Sequence, residues 1–77
     1  MSKRPITDRR IWDLAGRIAS NIRRIRTEKG FTQEDMGDRG LGPRWYQRLE
    51  SGRQIPTIPT LDKLARVFKV DIREFFQ

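Results

Sequence analysis

The sequence predicts an all-α fold, a compact bundle of five short helices. Three observations carry that expectation. Apolar residues recur at i, i+3, i+4 and i+7 in one segment after another. Runs that alternate apolar and polar residues between turn signals, the mark of strands, are nearly absent. Capping residues and glycine stops punctuate the chain at helix-length intervals.

The first helix carries Ile11, Leu14, Ala15, Ile18, Ala19, Ile22 and Ile25 on one stripe. Thr7 or Asp8 suits its start and Gly30 its end; Gly16 leaves a later start, near Ile18, open. The second helix, expected over residues 33–39, begins at Thr32, an N-cap with Asp35 three places on in a capping-box arrangement. Gly40 and Gly42 stop it. Pro43 suits the first turn of a third helix, expected over residues 43–51, in which Tyr46 and Leu49 face inward. Gly52 ends that segment. After the linker Arg53-Gln54-Ile55-Pro56, Thr57 caps a fourth helix with Ile58, Leu61, Leu64, Ala65 and Phe68 on one face. A last short helix starts at Asp71, offering Ile72, Phe75 and Phe76. Residues 1–10 read as a basic, partly disordered arm that includes Lys3, Arg4, Arg9 and Arg10; residues 11–77 read as the folded domain.

Composition narrows the function. Seventy-seven residues, 35% of them hydrophobic, support one small core. The chain has no cysteine, as suits a reducing cytoplasm. No apolar run approaches the roughly 20 residues that a membrane helix needs. Histidine is absent as well, so the usual general base, nucleophile and metal ligands are missing. Neither an enzyme nor a metal site nor a cofactor is expected. Seventeen Lys and Arg stand against ten Asp and Glu, a net charge of +7. The excess is concentrated in residues 1–30, with nine cations and three anions. Such a balance points to a polyanion, either nucleic acid or an anionic membrane. Four further segments carry inward faces of their own, so the basic first helix is better spent on a core than on lipid.

Two short helices joined by a glycine turn, the second bearing arginine and glutamine on one face, match what reading a major groove requires. Ile22-Arg23-Arg24-Ile25-Arg26 followed by Gly30-Phe31-Thr32-Gln33-Glu34-Asp35-Met36 resembles the opening of the lambda-repressor-like, Cro/C1-type (XRE-type) helix-turn-helix family. Tyr46-Gln47-Arg48-Leu49-Glu50-Ser51-Gly52 resembles that family's recognition-helix segment. Pro56-Thr57 with the run from Leu61 to Val70 resembles its close. Together the three fragments span roughly residues 18–76. Between Gln33 and Tyr46 the chain is one residue shorter than the family pattern, around Asp38–Gly40.

The resemblance implies a sequence-specific, double-stranded DNA-binding regulator acting as a homodimer, with no small-molecule effector and no room for a separate effector domain. An antitoxin or protein-interaction module on the same fold is the alternative. It also implies roles for particular residues. Pro43, Arg44, Gln47 and Arg48 map onto the base-reading edge, with Arg44 foremost. Thr32, Gln33, Trp45 and Arg53 map onto phosphate contacts, although Thr32 also reads as a plain cap and Trp45 as a packing residue. Arg26 and Glu50 map onto an ion pair between the first and third helices. Of Phe75 and Phe76, one is expected to close the core and the other to join a dimer contact.

Overall fold

The computed structural model describes residues 7–77. Four α-helices form it: α1 (Arg9–Glu28), α2 (Gln33–Met36), α3 (Pro43–Glu50) and α4 (Ile58–Phe68). The fifth expected helix is instead a 3-10 turn, Ile72–Phe76. The Glu74 N–H bonds the Asp71 carbonyl at 2.9 Å, three residues back, the tighter winding used in short pieces. The expected arm residues Lys3 and Arg4 lie outside the described residues. Arg9 and Arg10 belong to the first turn of α1, not to an arm.

Asp8 caps α1, its carboxylate accepting the backbone N–H of Arg10 at 2.8 Å. The helix then runs unbroken through Gly16 to Glu28. Its stripe is only partly used. Ala15, Ile18, Ala19, Ile22 and Ile25 are buried, whereas Ile11 and Leu14 stay partly exposed at the mouth of a groove that they share with Ile55, Pro56, Ile58 and Phe76. Ile58, expected on the inner face of α4, is likewise 65% exposed. It occupies the first position after the Thr57 cap, before the helix has turned inward.

Tyr46, Leu49, Met36, Leu61, Leu64, Phe68 and Phe75 fill the core against Ile18, Ile22 and Ile25. Phe75 is fully buried, edge-on to Phe68 with ring centroids 6.3 Å apart. It is therefore unavailable as a dimer contact. Its neighbour Phe76 is 42% exposed. Asn21 of α1 fixes this end, its carboxamide donating to the carbonyls of Phe75 at 3.0 Å and Gln77 at 2.9 Å.

The connection from α2 to α3 departs from the expected helix over residues 33–39. Regular α geometry stops at Met36 and a wider π-type turn covers Gly37–Leu41. Arg39 and Gly40 leave helical geometry inside it, and the reversal is made by Gly40 and Gly42 at φ +81° and +66°. Side chains disfavour that region and glycine does not. Leu41, between the two, drops into the core. Gly37 faces Pro43: a β-carbon on it would lie 3.2 Å from the proline ring. The turn thus closes by pressing the start of α3 against the end of α2.

Candidate nucleic-acid interface

Alternation along α3 separates two faces. Tyr46, Leu49 and Glu50 are buried, while Pro43, Arg44, Gln47 and Arg48 are exposed. Gly42 caps the helix without a side chain and Pro43 occupies its first turn, so nothing bulky covers the N-terminal end. Arg44, Gln47, Arg48, Ser51 and Arg53 line one shallow depression. Arg53 reaches it because its N–H bonds the carbonyl of Arg48 at 3.0 Å, folding the chain back over the end of α3. Four of the residues singled out in the sequence therefore share one concave, basic surface. Trp45 is half-buried and packed against the core.

Behind this surface sits a charged joint. The Arg26 guanidinium meets the Glu50 carboxylate at two points, Nε to Oε2 at 2.7 Å and Nη2 to Oε1 at 3.1 Å. Its third nitrogen, Nη1, donates to the carbonyl of Phe31 at 2.7 Å. One arginine of α1 thereby holds both the end of α3 and the entry to α2. The side chains are 13% and 3% exposed. Glu50 raises the pKa of Arg26, chiefly through the hydrogen bond. The Tyr46 hydroxyl lies against the pair without an aligned hydrogen-bond partner among the described residues. Burial, and then the neighbouring carboxylate, push its pKa upward and keep its proton on.

At the start of α2, Thr32 and Asp35 form the reciprocal capping box: the threonine Oγ1 accepts the Asp35 N–H at 3.1 Å and the Asp35 carboxylate accepts the Thr32 N–H at 2.7 Å. The Thr32 backbone bond holds the Asp35 carboxyl below its ordinary range. Gln33 is exposed, with its carboxamide 3.5 Å from Glu50 Oε1. The capping threonine and Gln33 thus flank the charged joint at the edge of the surface formed by α3.

Two cations here escape sequence reasoning. Arg39 stacks over the Phe31 ring at 4.8 Å from its centroid, a favourable cation–π geometry. The Lys63 ammonium of α4 lies 3.9 Å from where a β-carbon on Gly40 would stand, at the turn between α2 and α3. Neither leaves a local signal, since both contacts depend on how distant segments meet. Among the described residues no cluster of acidic side chains could hold a metal ion, and no helix is long and apolar enough to cross a membrane.

Comparison with known proteins bears on this arrangement. The model of a family described as helix-turn-helix matches residues 22–75. The chain is 41% identical over 59 residues to an uncharacterized HTH-type transcriptional regulator, y4dJ, of Sinorhizobium fredii, covering 75% of this chain and 77% of that protein. It is 37% identical over 58 residues to the cryptic phage CTXphi transcriptional repressor RstR of Vibrio cholerae, covering 74% of this chain and 52% of the repressor. This chain thus corresponds to about half of the repressor's length. No solved structure gives a significant match.

Proposed function

The chain belongs to the helix-turn-helix family of Cro/C1 type, whose members are DNA-binding transcriptional regulators, and from that premise we propose that α3 is its recognition helix, read out in the major groove of double-stranded DNA. One observation carries the assignment. The exposed edge of α3 holds Pro43, Arg44, Gln47 and Arg48, while its other side is held by the core and by the Arg26–Glu50 pair.

Arg44 and Gln47 are the principal base readers. A guanidinium pairs with the two acceptors of guanine and a carboxamide with adenine, each supplying about 1–3 kcal/mol of discrimination. Arg48 and Pro43 complete the edge. Thr32, Gln33, Arg53 and the outer edge of Trp45 hold the phosphates and set register without reading sequence. The chain acts by occupying an operator, a reading that the repressor name of one relative supports. Two copies bind a site of two-fold symmetry with half-sites about one helical turn apart.

Selection from a random duplex library at physiological ionic strength tests this reading. A two-fold symmetric motif should be enriched, and recovery of unbiased sequence refutes it.

A further inference from the structure

The basic face of α1 has no part in the reading surface described above. Gly52, just past the end of α3, packs on the middle of α1: a β-carbon on it would lie 3.2 Å from the Gly16 α-carbon. Arg53, the next residue, lines the depression that holds Arg44, Gln47, Arg48 and Ser51. The face of α1 that carries Gly16 is therefore the one beside that depression. Residues four and seven places away on a helix share a face. For Gly16 these are Trp12 and Ser20, then Arg9 and Arg23, and all five are exposed. At 1.5 Å per residue, Arg9 and Arg23 stand about 10 Å to either side of the seam along the helix axis.

We propose that this face of α1 is a second contact to the DNA backbone, on which Arg9 and Arg23 hold phosphates of the duplex outside the bases read by α3. The assignment rests on the DNA reading above and extends it. The family match begins at residue 22, so the half of the row from Arg9 to Gly16 belongs to a stretch of α1 that the match leaves out.

Pairing separates these two cations from their neighbours. Arg10 and Arg24 meet Asp8 and Glu28, each at 3.3 Å, and Arg26 is spent on Glu50. Among the described residues, Arg9 and Arg23 make no ion pair. The carboxylates of α1 stand off the row. Asp13 lines a separate depression with Arg10, Leu14 and Arg17, and Glu28 takes Arg24. Continuity is the second argument. Gly52 and Gly16 bring two backbones together with no side chain between them, and the space above Gly16 is open. A strand lying on Arg53 thus meets a shallow seam and then α1. A bilayer, the other common polyanion, needs apolar side chains to insert beside the cations. The apolar stripe of α1 from Ala15 to Ile25 is buried in the domain instead.

Binding curves across a salt series on two duplexes test the proposal. One is the motif selected by wild type, cut at its last selected base pair. The other carries a further helical turn, about 10 base pairs, on each side. Wild type should bind the longer duplex more tightly and with the steeper salt slope. On that duplex Arg9→Gln and Arg23→Gln should each lower the slope by about one. The advantage of wild type over each variant then shrinks about threefold between about 50 and 200 mM salt. Base preference should stay as in wild type. Arg10→Gln and Arg24→Gln remove paired cations and serve as charge-matched controls, with less than half that effect, and melting curves check folding. In labelled wild type, the side-chain N–H resonances of Arg9 and Arg23 should move with the longer duplex and stay in place with the cut one. Slopes for Arg9→Gln and Arg23→Gln equal to those of the controls overturn the proposal, as does equal wild-type affinity for the two duplexes. Loss of binding to phosphatidylglycerol vesicles in those variants, with duplex binding intact, assigns the face to lipid and overturns it too. A mixed-sequence duplex of the longer length keeps the two readings apart. If α3 does not read bases, wild type shows no preference over that duplex, while the Arg9 and Arg23 effects on its slope persist.

Discussion

A β-carbon placed on Gly52 would lie 3.2 Å from the α-carbon of Gly16. The end of the proposed recognition helix is therefore seated directly on the backbone of α1. Gly52 also holds φ at +76°, a region that costs a side chain roughly 1–2 kcal/mol. Gly16 is different: its own β-carbon would meet nothing within 4 Å, and it sits inside α1. Alanine at the two positions should act in opposite directions. Gly52→Ala should lose about 2 kcal/mol or more, and Gly16→Ala should gain up to about 1 kcal/mol from helix propensity. Urea unfolding of both variants checks this, and equal signs would refute the asymmetry.

The Arg26–Glu50 pair is a positioning device whose worth is best seen by removing one side. Arg26→Met strips the buried carboxylate of both guanidinium bonds and leaves the Phe31 carbonyl without its donor. Breaking such a pair costs about 3–5 kcal/mol, most of it the penalty of the stranded charge. Glu50→Gln keeps the shape and one acceptor, so it should cost less. A denaturation midpoint unchanged in Arg26→Met would show that the carboxylate is hydrated in solution.

Much of this domain is legible in local sequence because its signals act over three or four residues. The Thr32–Asp35 box and the Thr57 cap are of that kind, and the stops at Gly30 and Gly52 follow from neighbouring residues alone. What a stripe faces is not local. Periodicity marks Ile11, Leu14 and Ile58 as belonging to apolar faces, yet only the way distant elements meet decides that they stay partly exposed. Phe75 and Phe76 are adjacent and chemically alike; Asn21, more than fifty residues away, holds the turn that buries one and exposes the other. The widened turn at Gly37–Leu41 is hidden for another reason. Three glycines within six residues permit many geometries, and the choice falls to Leu41 finding the core and Gly37 meeting Pro43. The proposed reading edge of α3 follows from resemblance; the structure adds that its four residues are exposed together.

Acid should loosen the helix starts. Asp8, Asp35 and Asp71 have pKa values below the ordinary 3.8, held there by Arg10, by Thr32 and by Arg73 respectively. Each carboxyl binds a proton less readily folded than unfolded, so the unfolded chain takes up more protons as pH falls. The stabilisation is present above about pH 4 and is lost as pH drops through the lowered folded values. Melting temperature followed from pH 6 to pH 2 should therefore decline most steeply below pH 4. Asp35→Asn should flatten part of that decline, since it removes one of the three titrating caps.

Reading and clamping can be separated by two substitutions on either side of the charged joint. Arg44 stands exposed at the start of α3, is proposed as a base reader and makes no contribution to the core. Arg44→Ala should leave stability nearly unchanged, cost about 1–3 kcal/mol on the selected operator and relax preference at one base position per half-site. Gln33 begins α2, and its carboxamide is only loosely tied to Glu50 at 3.5 Å. Gln33→Ala should weaken every duplex by a similar factor and leave the sequence preference intact, because a phosphate contact carries no base information. Binding isotherms for both variants on the operator and on single-base variants of it, across a salt series, decide between the roles. Wild-type affinity should fall steeply with salt, and substituting the cation proposed to hold a phosphate, Arg53→Gln, should reduce the slope by about one. If Arg44→Ala and Gln33→Ala lose affinity equally on all sequences, the exposed edge of α3 holds the backbone, and base readout must be sought on another element.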